Sequence, residues 1–286
     1  MKPPLISIAM PVWNCEKTVA VAVRSILNQT FQDWELLVFD DGSTDGTLAE
    51  LNQFQDNRIK VLADTHNKGL ASRLNEAIKM TKGEFFGRMD GDDVSYPKRL
   101  ELQLDYLRSH PGVDLIGGGV LVFDGDGRFL GKRIPPESHA AICRRPSSGF
   151  PMAHPTFCGK TAWFRLHKYS ASFPLAQDQD LLLRSYRSSR FANLPEIVMG
   201  YRENRLSWMK LAKGRNCLTR AVCRQLKVEG RGRLIPAAIL QQALKSAADW
   251  ISIVTGLKYK LLRHRATSIT GEERQEWRQV YQSVTP

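Results

Sequence analysis

Apolar runs of strand length recur in the N-terminal third of the chain, and each stops at a turn-forming or acidic cluster. Leu5-Ile6-Ser7-Ile8-Ala9-Met10 stops at Pro11, and Trp34-Glu35-Leu36-Leu37-Val38-Phe39 runs into Asp40-Asp41-Gly42-Ser43. Ile59 to Ala63 is a third run, and Glu84-Phe85-Phe86-Gly87 leads into Arg88-Met89-Asp90-Gly91-Asp92-Asp93. Runs bounded in this way read as buried strands opening into loops. Between them the apolar period is helical: Val19, Val23, Ile26 and Leu27 share one face, as do Leu70, Leu74, Ala77 and Ile78 after Gly69. Thr44 or Asp45 is placed to cap a helix after the second strand. Strands alternating with helices predict an α/β fold with a mostly parallel sheet covered on both faces. Ligands bind such sheets outside the carboxyl ends of the strands. Pro11 to Asn14, Asp40-Asp41, Asn67 to Gly69 and Asp90 to Asp93 are therefore predicted to converge on one crevice.

The carboxylates of Asp90, Asp92 and Asp93 repel one another and call for a cation. Hard divalent ions with oxygen ligands suit them, and Mg²⁺ or Mn²⁺ commonly binds through one or two carboxylates together with substrate phosphates. The bland alternative is a solvated acidic turn. Gly117-Gly118-Gly119 lacks the Lys-Ser/Thr of a phosphate loop and follows strand-like Val113 to Ile116, so a turn or bulge is expected there. Asp124 to Arg128 reads as a turn between two strands. The loop-like stretch from Arg144 to Pro151 is a candidate lid or substrate-binding loop, with Arg144 and Arg145 available to a diphosphate. His154 stands outside any cluster of His and Cys large enough for a zinc site, which leaves a structural, substrate-orienting or directly chemical role.

Taken in order, Pro11-Val12-Trp13-Asn14, Ser25 to Phe31, Asp40-Asp41-Gly42-Ser43-Thr44-Asp45, Asn67-Lys68-Gly69-Leu70 and Arg88 to Pro97 resemble the family 2 glycosyltransferases. These are enzymes of the GT-A fold, a Rossmann-like sheet flanked by helices. The likeness continues through His154-Pro155-Thr156, Ala176 to Leu181 and Asn193 to Ile197, and it ends at Tyr201-Arg202. The resemblance implies transfer of a sugar, with inversion, from a nucleotide-diphosphate donor, a UDP-sugar being favoured. The implied acceptor is a hydroxyl of a saccharide or lipid-linked saccharide in cell-surface polysaccharide synthesis.

Residue by residue, the resemblance implies that Asp41 accepts a hydrogen bond from the base and that Pro11 and Trp13 wall the base pocket, with Asn14, Asn67 and Gly69 on the same nucleotide site. Family members often carry Tyr where this chain has Trp13; an indole can still stack on a base, and the competing reading is a core aromatic. Asp90 is implied to face the ribose or the metal, and Asp92 to ligate Mn²⁺ or Mg²⁺. Asp93 either joins them or caps a helix beginning near Pro97. The implied catalytic base is Asp178, with Asp180 as the rival assignment. Asp180 lies four residues before Arg184, so an ion pair on one helix is the structural alternative. Gln177 departs from the family, which usually has Glu there.

With 286 residues, 42% of them hydrophobic, the chain can bury a large core. The expected organisation is a catalytic domain over 1–204, divided into a nucleotide-binding half (1–110) and an acceptor-binding half (111–204), followed by a helical basic region over 205–286. Five cysteines without a close pair argue against a disulfide framework, and Met1-Lys2-Pro3-Pro4 runs straight into the first strand without a cleavable signal, so cytoplasmic residence is expected. Residues 1–204 hold 25 Lys and Arg against 24 Asp and Glu, whereas residues 205–286 hold 16 against 5. Nearly all of the net charge of +12 therefore lies beyond the resemblance. Ile235 to Leu257 is apolar but interrupted by Lys245 and Asp249, and a central charge costs roughly 2.5–3.5 kcal/mol in a spanning helix. A helix lying on an anionic membrane surface through 231–265 is the expectation, with Arg231, Arg233 and the mixed Leu257 to Arg265 segment as anchors on the inner membrane face. The alternative is an appendage packed on the catalytic domain or a partner. No nucleic-acid fold or aromatic ladder accompanies the charge, so nucleic acid is not expected. Two other functions compete: a nucleotidyltransferase, although its Gly-rich, Arg-containing loop is missing where Pro11 to Asn14 stands, and a non-catalytic sugar-nucleotide or membrane-binding module.

Overall fold

The computed structural model describes residues 2–203, 208–255 and 269–285. The four apolar runs form strands β1 (Ile6–Val12), β2 (Trp34–Asp40), β3 (Ile59–Ala63) and β4 (Phe85–Arg88), which lie parallel in the order β3-β2-β1-β4. All residues of β1, β2 and β4 are buried, which explains why these runs are apolar without alternation. Successive side chains still divide between two faces. Ile6, Ile8, Met10, Leu36 and Val38 pack with helix α1 (Val19–Leu27) and with Leu51 of α2 (Thr47–Leu51). Ala9, Leu37, Phe39 and Phe86 pack on the other side with Leu74, Ala77 and Ile78 of α3 (Leu70–Met80). Asp45 accepts from the Thr47 amide at 3.0 Å and so satisfies one donor at the start of α2.

The second half of the sheet departs from parallel. Beyond β4 the order continues with β8 (Cys158–Lys160), β6 (Leu115–Phe123), β9 (Phe191–Arg202) and β5 (Val94–Ser95), while β7 (Phe129–Arg133) pairs with Val120 to Phe123 of β6, beyond the part of β6 that pairs with β8. Only β6 and β9 are parallel here; β4 with β8, β8 with β6, β6 with β7 and β9 with β5 are antiparallel. The mostly parallel arrangement expected thus belongs to the first four strands, and short strands such as β5 and β8 supply the reversals. The Asp124 to Arg128 turn joins β6 to β7 with Gly127 at a φ of 78°. Gly117 to Gly119 run as continuous strand within β6, and the bulge expected there is on the partner: opposite Gly118, Gly119 and Val120, β9 passes from Leu194 to Ile197 to Met199, so the extra residues are in β9. Glycine is required by close approach: a Cβ on Gly118 would stand 2.6 Å from Val198 Cγ2, and one on Gly119 2.8 Å from the Glu196 carbonyl oxygen.

Helix α4 (Arg99–Ser109) covers the first face with Leu100, Leu104 and Leu107. Two short helices, α5 (His139–Ile142) and α6 (Thr161–Leu166), and helix α7 (Gln177–Ser185) build the other. Downstream, α8 (Trp208–Val228) buries Ala221, Val222 and Leu226 in that same cluster, beside α7 and α9 (Ile235–Val254). Helix α10 (Gly271–Val284) returns to the sheet, where Trp277, Val280 and Val284 join Val21, Val94, Tyr96, Leu121 and Phe123. Trp277 Nε1 donates to the Gly127 carbonyl at 3.0 Å, and Lys132 pairs with Glu273 at 2.6 Å. The packed-appendage alternative therefore describes α8 and α10. The anchoring segment Leu257 to Arg265 lies outside the described residues.

Candidate active site

The loops after β1 and β2 are laced together at the carboxyl end of the sheet. Asn14, in left-handed backbone with a φ of 51°, donates its amide to Ser43 Oγ at 2.9 Å and accepts the Thr44 amide on Oδ1 at 2.9 Å. The Cys15 amide donates to Thr47 Oγ1 at 2.7 Å. This lacing fixes Pro11 at the buried end of β1 and leaves Trp13 55% exposed, which removes the core-aromatic reading of Trp13. The Asn14 carbonyl is occupied by Thr44, so its part at this site is to shape the loop.

Asp41 is buried and accepts three hydrogen bonds, from the amides of Lys68 and Gly69 at 2.8 Å each and from Arg73 Nε at 2.6 Å. A carboxylate offers about four acceptor positions, so roughly one remains for a ligand. Gly69 has a φ of 83°, a conformation that favours glycine, and this turns the Asn67 to Gly69 loop so that two successive amides meet Asp41. Asn67 is exposed on that loop.

Beyond β4, Asp90, Asp92 and Asp93 offer carboxylate oxygens that all lie within 4.8 Å of one another. Burial and then the neighbouring Asp90 charge push the Asp92 carboxyl above its ordinary range, and the same two causes push Asp93 well above it. A cation would relieve both. The donors are all oxygen, and Asp93 Oδ2 is buried with no hydrogen-bond partner among the described residues. These residues fit a hard divalent ion. Asp93 does not cap a helix at Pro97: α4 begins at Arg99 with Lys98 before it, and Asp93 Oδ1 instead accepts the Arg202 amide at 2.9 Å.

Arginines organise this acidic loop, and sequence reasoning assigned none of them. Arg88 is fully buried at the end of β4 and both its Nη atoms donate to Asp90, one at 3.0 Å. Burial works against the Arg88 charge, but Asp90, Tyr169 and Asp93 together outweigh it and its pKa is raised. Arg202 Nε donates to the Asp92 carbonyl at 2.8 Å, and its guanidinium lies over the Phe123 ring at 4.6 Å. The signal available in the sequence was a cation at the end of an otherwise apolar strand, two residues before Asp90.

Asp178 stands in the first turn of α7, half-buried, with Gln179 Nε2 donating to it at 3.1 Å. Burial pushes its carboxyl above the ordinary value, opposed by the Gln179 hydrogen bonds and the Arg88 charge. Asp178 lines a cavity of about 540 Å³ together with Arg88, Asp90, His154, Gln177 and Tyr201. Asp90 and Tyr201 also border a second cavity of about 620 Å³, which holds Asp92 and Arg202. His154 is held by Tyr169, with Nε2 and the phenol oxygen 3.0 Å apart. Burial and Arg88 hold its imidazole well below the usual range, so it is neutral near pH 7. Gln177 Oε1 is buried with no hydrogen-bond partner among the described residues.

Two sequence expectations are corrected. Asp180 is fully buried and accepts from Arg184 Nε at 2.9 Å and from Arg224, so it is an ion-pair centre between α7 and α8 and not the rival base. Asp180→Asn is expected to cost about 1–3 kcal/mol of stability by leaving this network short of an acceptor. Its kcat should stay within a few-fold of wild type, checked by thermal denaturation beside a turnover assay. Arg144 and Arg145 do not reach the acidic loop. They border a separate cavity of about 510 Å³ against α7, α8 and α9, because α9 grips the next residues: Gln242 Nε2 donates to the Ser147 carbonyl at 2.8 Å and Lys245 Nζ to the Ser148 carbonyl at 3.1 Å. The loop that lines the cleft is Phe150 to Pro155.

Residues 7–170 match the family model described as glycosyl transferase family 2. The putative glycosyltransferase EpsE of Bacillus subtilis is 36% identical over 208 residues, covering 70% of this chain and 74% of that protein. The UDP-Glc:alpha-D-GlcNAc-diphosphoundecaprenol beta-1,3-glucosyltransferase WfgD of Escherichia coli is 35% identical over 133 residues, 46% of this chain and 52% of that protein. Among solved structures, TarS of S. aureus in complex with UDP-GlcNAc superposes with a TM-score of 0.62 at 20% identity, over 98% of this chain and 81% of that one. At that identity the likeness shows a shared GT-A fold.

Proposed function

Because the chain belongs to glycosyl transferase family 2, we propose that it moves a sugar from a nucleoside-diphosphate donor, a UDP-sugar by preference, to an acceptor hydroxyl with inversion. The observation that carries this reading is the cavity of about 540 Å³ whose wall holds both Asp90 of the acidic loop and Asp178. One crevice thereby offers a place for a diphosphate and a base for a hydroxyl. The nucleotide base stacks on exposed Trp13 and donates to the remaining acceptor position of Asp41. Arg88 fixes Asp90 at the junction of the two cavities, and the diphosphate lies along Asp90 and Asp92.

The acceptor oxygen attacks the anomeric carbon as the bond from that carbon to the phosphate oxygen breaks, and the hydroxyl proton passes to Asp178. A carboxylate raised by burial is the stronger base, and a positioned base contributes about 10²–10⁴-fold. A Mn²⁺ or Mg²⁺ ion held by Asp92 and Asp90 would neutralise charge on the departing diphosphate, worth several kcal/mol. A single displacement with one base on the acceptor side gives inversion. Neutral His154, fixed by Tyr169, orients the acceptor hydroxyls. The diphosphoundecaprenol acceptor in the WfgD name supports a lipid-linked saccharide for this chain, used in cell-surface polysaccharide synthesis at the inner membrane face. Product analysis tests the reaction class. Release of nucleoside diphosphate with a glycosylated acceptor is expected; release of pyrophosphate would mark nucleotidyl transfer, and nucleotide binding without either product would mark a non-catalytic module.

A further inference from the structure

Helix α9 carries its polar side chains toward the protein and its apolar ones toward the outside. Gln242 and Lys245 hold the carbonyls of Ser147 and Ser148, and Asp249 pairs with Arg215. Gln241, Ser246 and Ser252 are also partly covered. Every exposed side chain of the helix among those described is apolar: Pro236, Ala237, Ile239, Leu240, Ala243, Leu244, Ala247, Ala248, Trp250, Ile251 and Val254. Leu240 is 61% exposed, and Leu244 and Val254 64% each. At 100° per residue, Leu240, Leu244, Ala247, Ile251 and Val254 fall on one side, opposite Ala238, Gln242 and Asp249. A helix facing water shows the reverse arrangement, and a contiguous exposed apolar face marks a surface that meets something other than water.

We infer that the outer face of α9 embeds in the interface of an anionic lipid bilayer. Charge decides between this partner and a second copy of the chain. The described residues 208–255, which form α8 and α9, carry nine basic against two acidic side chains, and Arg231 and Arg233 are exposed where α9 begins. Two copies pressed together through this face would confront like charge with like charge, whereas anionic headgroups complement it. The helix lies in the interface and does not span it: no helix among the described residues is long and apolar enough to cross, and the polar side of α9 is already engaged with α8 and the Ser147-Ser148 loop. Trp250, half-exposed on this face, is the residue type that settles at headgroup level. This deepens the reading of a lipid-linked acceptor, and it is tested by a readout that needs no turnover.

The test is flotation of the full chain with phosphatidylcholine vesicles and with vesicles of phosphatidylcholine and phosphatidylglycerol. Wild type is expected to float with the anionic vesicles only, weakened by salt. The triple variant Leu240→Gln, Leu244→Gln, Ile251→Gln removes exposed side chains only; it should keep the wild-type thermal transition and lose vesicle affinity by about 100-fold. Emission should shift to the blue on vesicle addition, and the shift should be smaller in Trp250→Phe. Vesicle binding by the triple variant equal to wild type would overturn the inference. So would a wild-type dimer, by analytical ultracentrifugation, that the triple variant dissolves while neither protein floats. Because flotation does not depend on nucleotide or acceptor, its failure is separable from failure of the glycosyltransferase reading.

Discussion

Asp178→Asn is expected to lower kcat by about 10²–10⁴-fold while leaving donor binding within a few-fold of wild type. The side chain stands on the wall of the cavity shared with Asp90 and His154, and the amide keeps its size while losing the lone pair that takes a proton. Burial raises the carboxyl above its ordinary value near 3.8, so the acid limb of the kcat/KM profile should lie above that value in wild type and vanish with the variant. The stability effect has the opposite sign. A carboxyl whose folded pKa is raised contributes stability below its unfolded pKa and loses it as pH rises through the folded one. Ionised Asp178 therefore costs stability at neutral pH, and Asp178→Asn should melt no lower than wild type. Stability kept with turnover lost is the converse of the pattern expected for Asp180→Asn. Retained turnover would move the base elsewhere.

Asp92→Asn is expected to weaken donor binding in the presence of Mn²⁺ by about 10³-fold, the equivalent of several kcal/mol, and to leave the metal-free affinity unchanged. Asp92 borders the larger of the two cavities with Asp90 and Arg202, and its carboxyl is raised by burial and by Asp90. Removing one of three crowded negative charges relaxes that repulsion, so the variant should fold at least as stably as wild type. Titration of a nucleotide diphosphate with and without Mn²⁺ reads the effect. Equal affinities for wild type and variant under both conditions would remove Asp92 from the metal site.

Much of the N-terminal half was legible in the sequence because burial on both faces leaves an unbroken apolar record. The runs ending at Pro11, Asp40 and Asp90 became β1, β2 and β4, and the faces around Val23 and Leu74 became α1 and α3. The lacing of the loops after β1, β2 and β3 followed from parallel topology, although Trp13, Asp41 and Asn67 line neither of the two cavities that hold Asp90. Strands β5 and β8, of two and three residues, are too short to carry a period, so the reversals they make left no trace, whereas the antiparallel pair β6 and β7 was marked by the Asp124 to Arg128 turn. Pairings distant in sequence were equally silent. Asp180 meets Arg224 across 44 residues, and Trp277 meets the Gly127 carbonyl across 150. Arg144 and Arg145 looked like diphosphate ligands because their charge is visible in the sequence, while the grip of α9 on Ser147 and Ser148 is not. The apolar stretch of α9 was visible as well, but which way it faces depends on where Gln242, Lys245 and Asp249 find partners.

The proposed reaction requires that the protein bind a nucleoside-diphosphate sugar with the help of a divalent cation. It is tested most directly by thermal denaturation of the wild-type chain with UDP, GDP, CDP and TDP and their common sugar conjugates, each with and without Mn²⁺. A ligand at 100 times its dissociation constant adds about 2.7 kcal/mol to stability. Stabilisation by one nucleotide family, UDP by expectation, that appears or rises sharply with Mn²⁺ is the predicted result. No shift with any nucleotide under either metal condition would contradict the account.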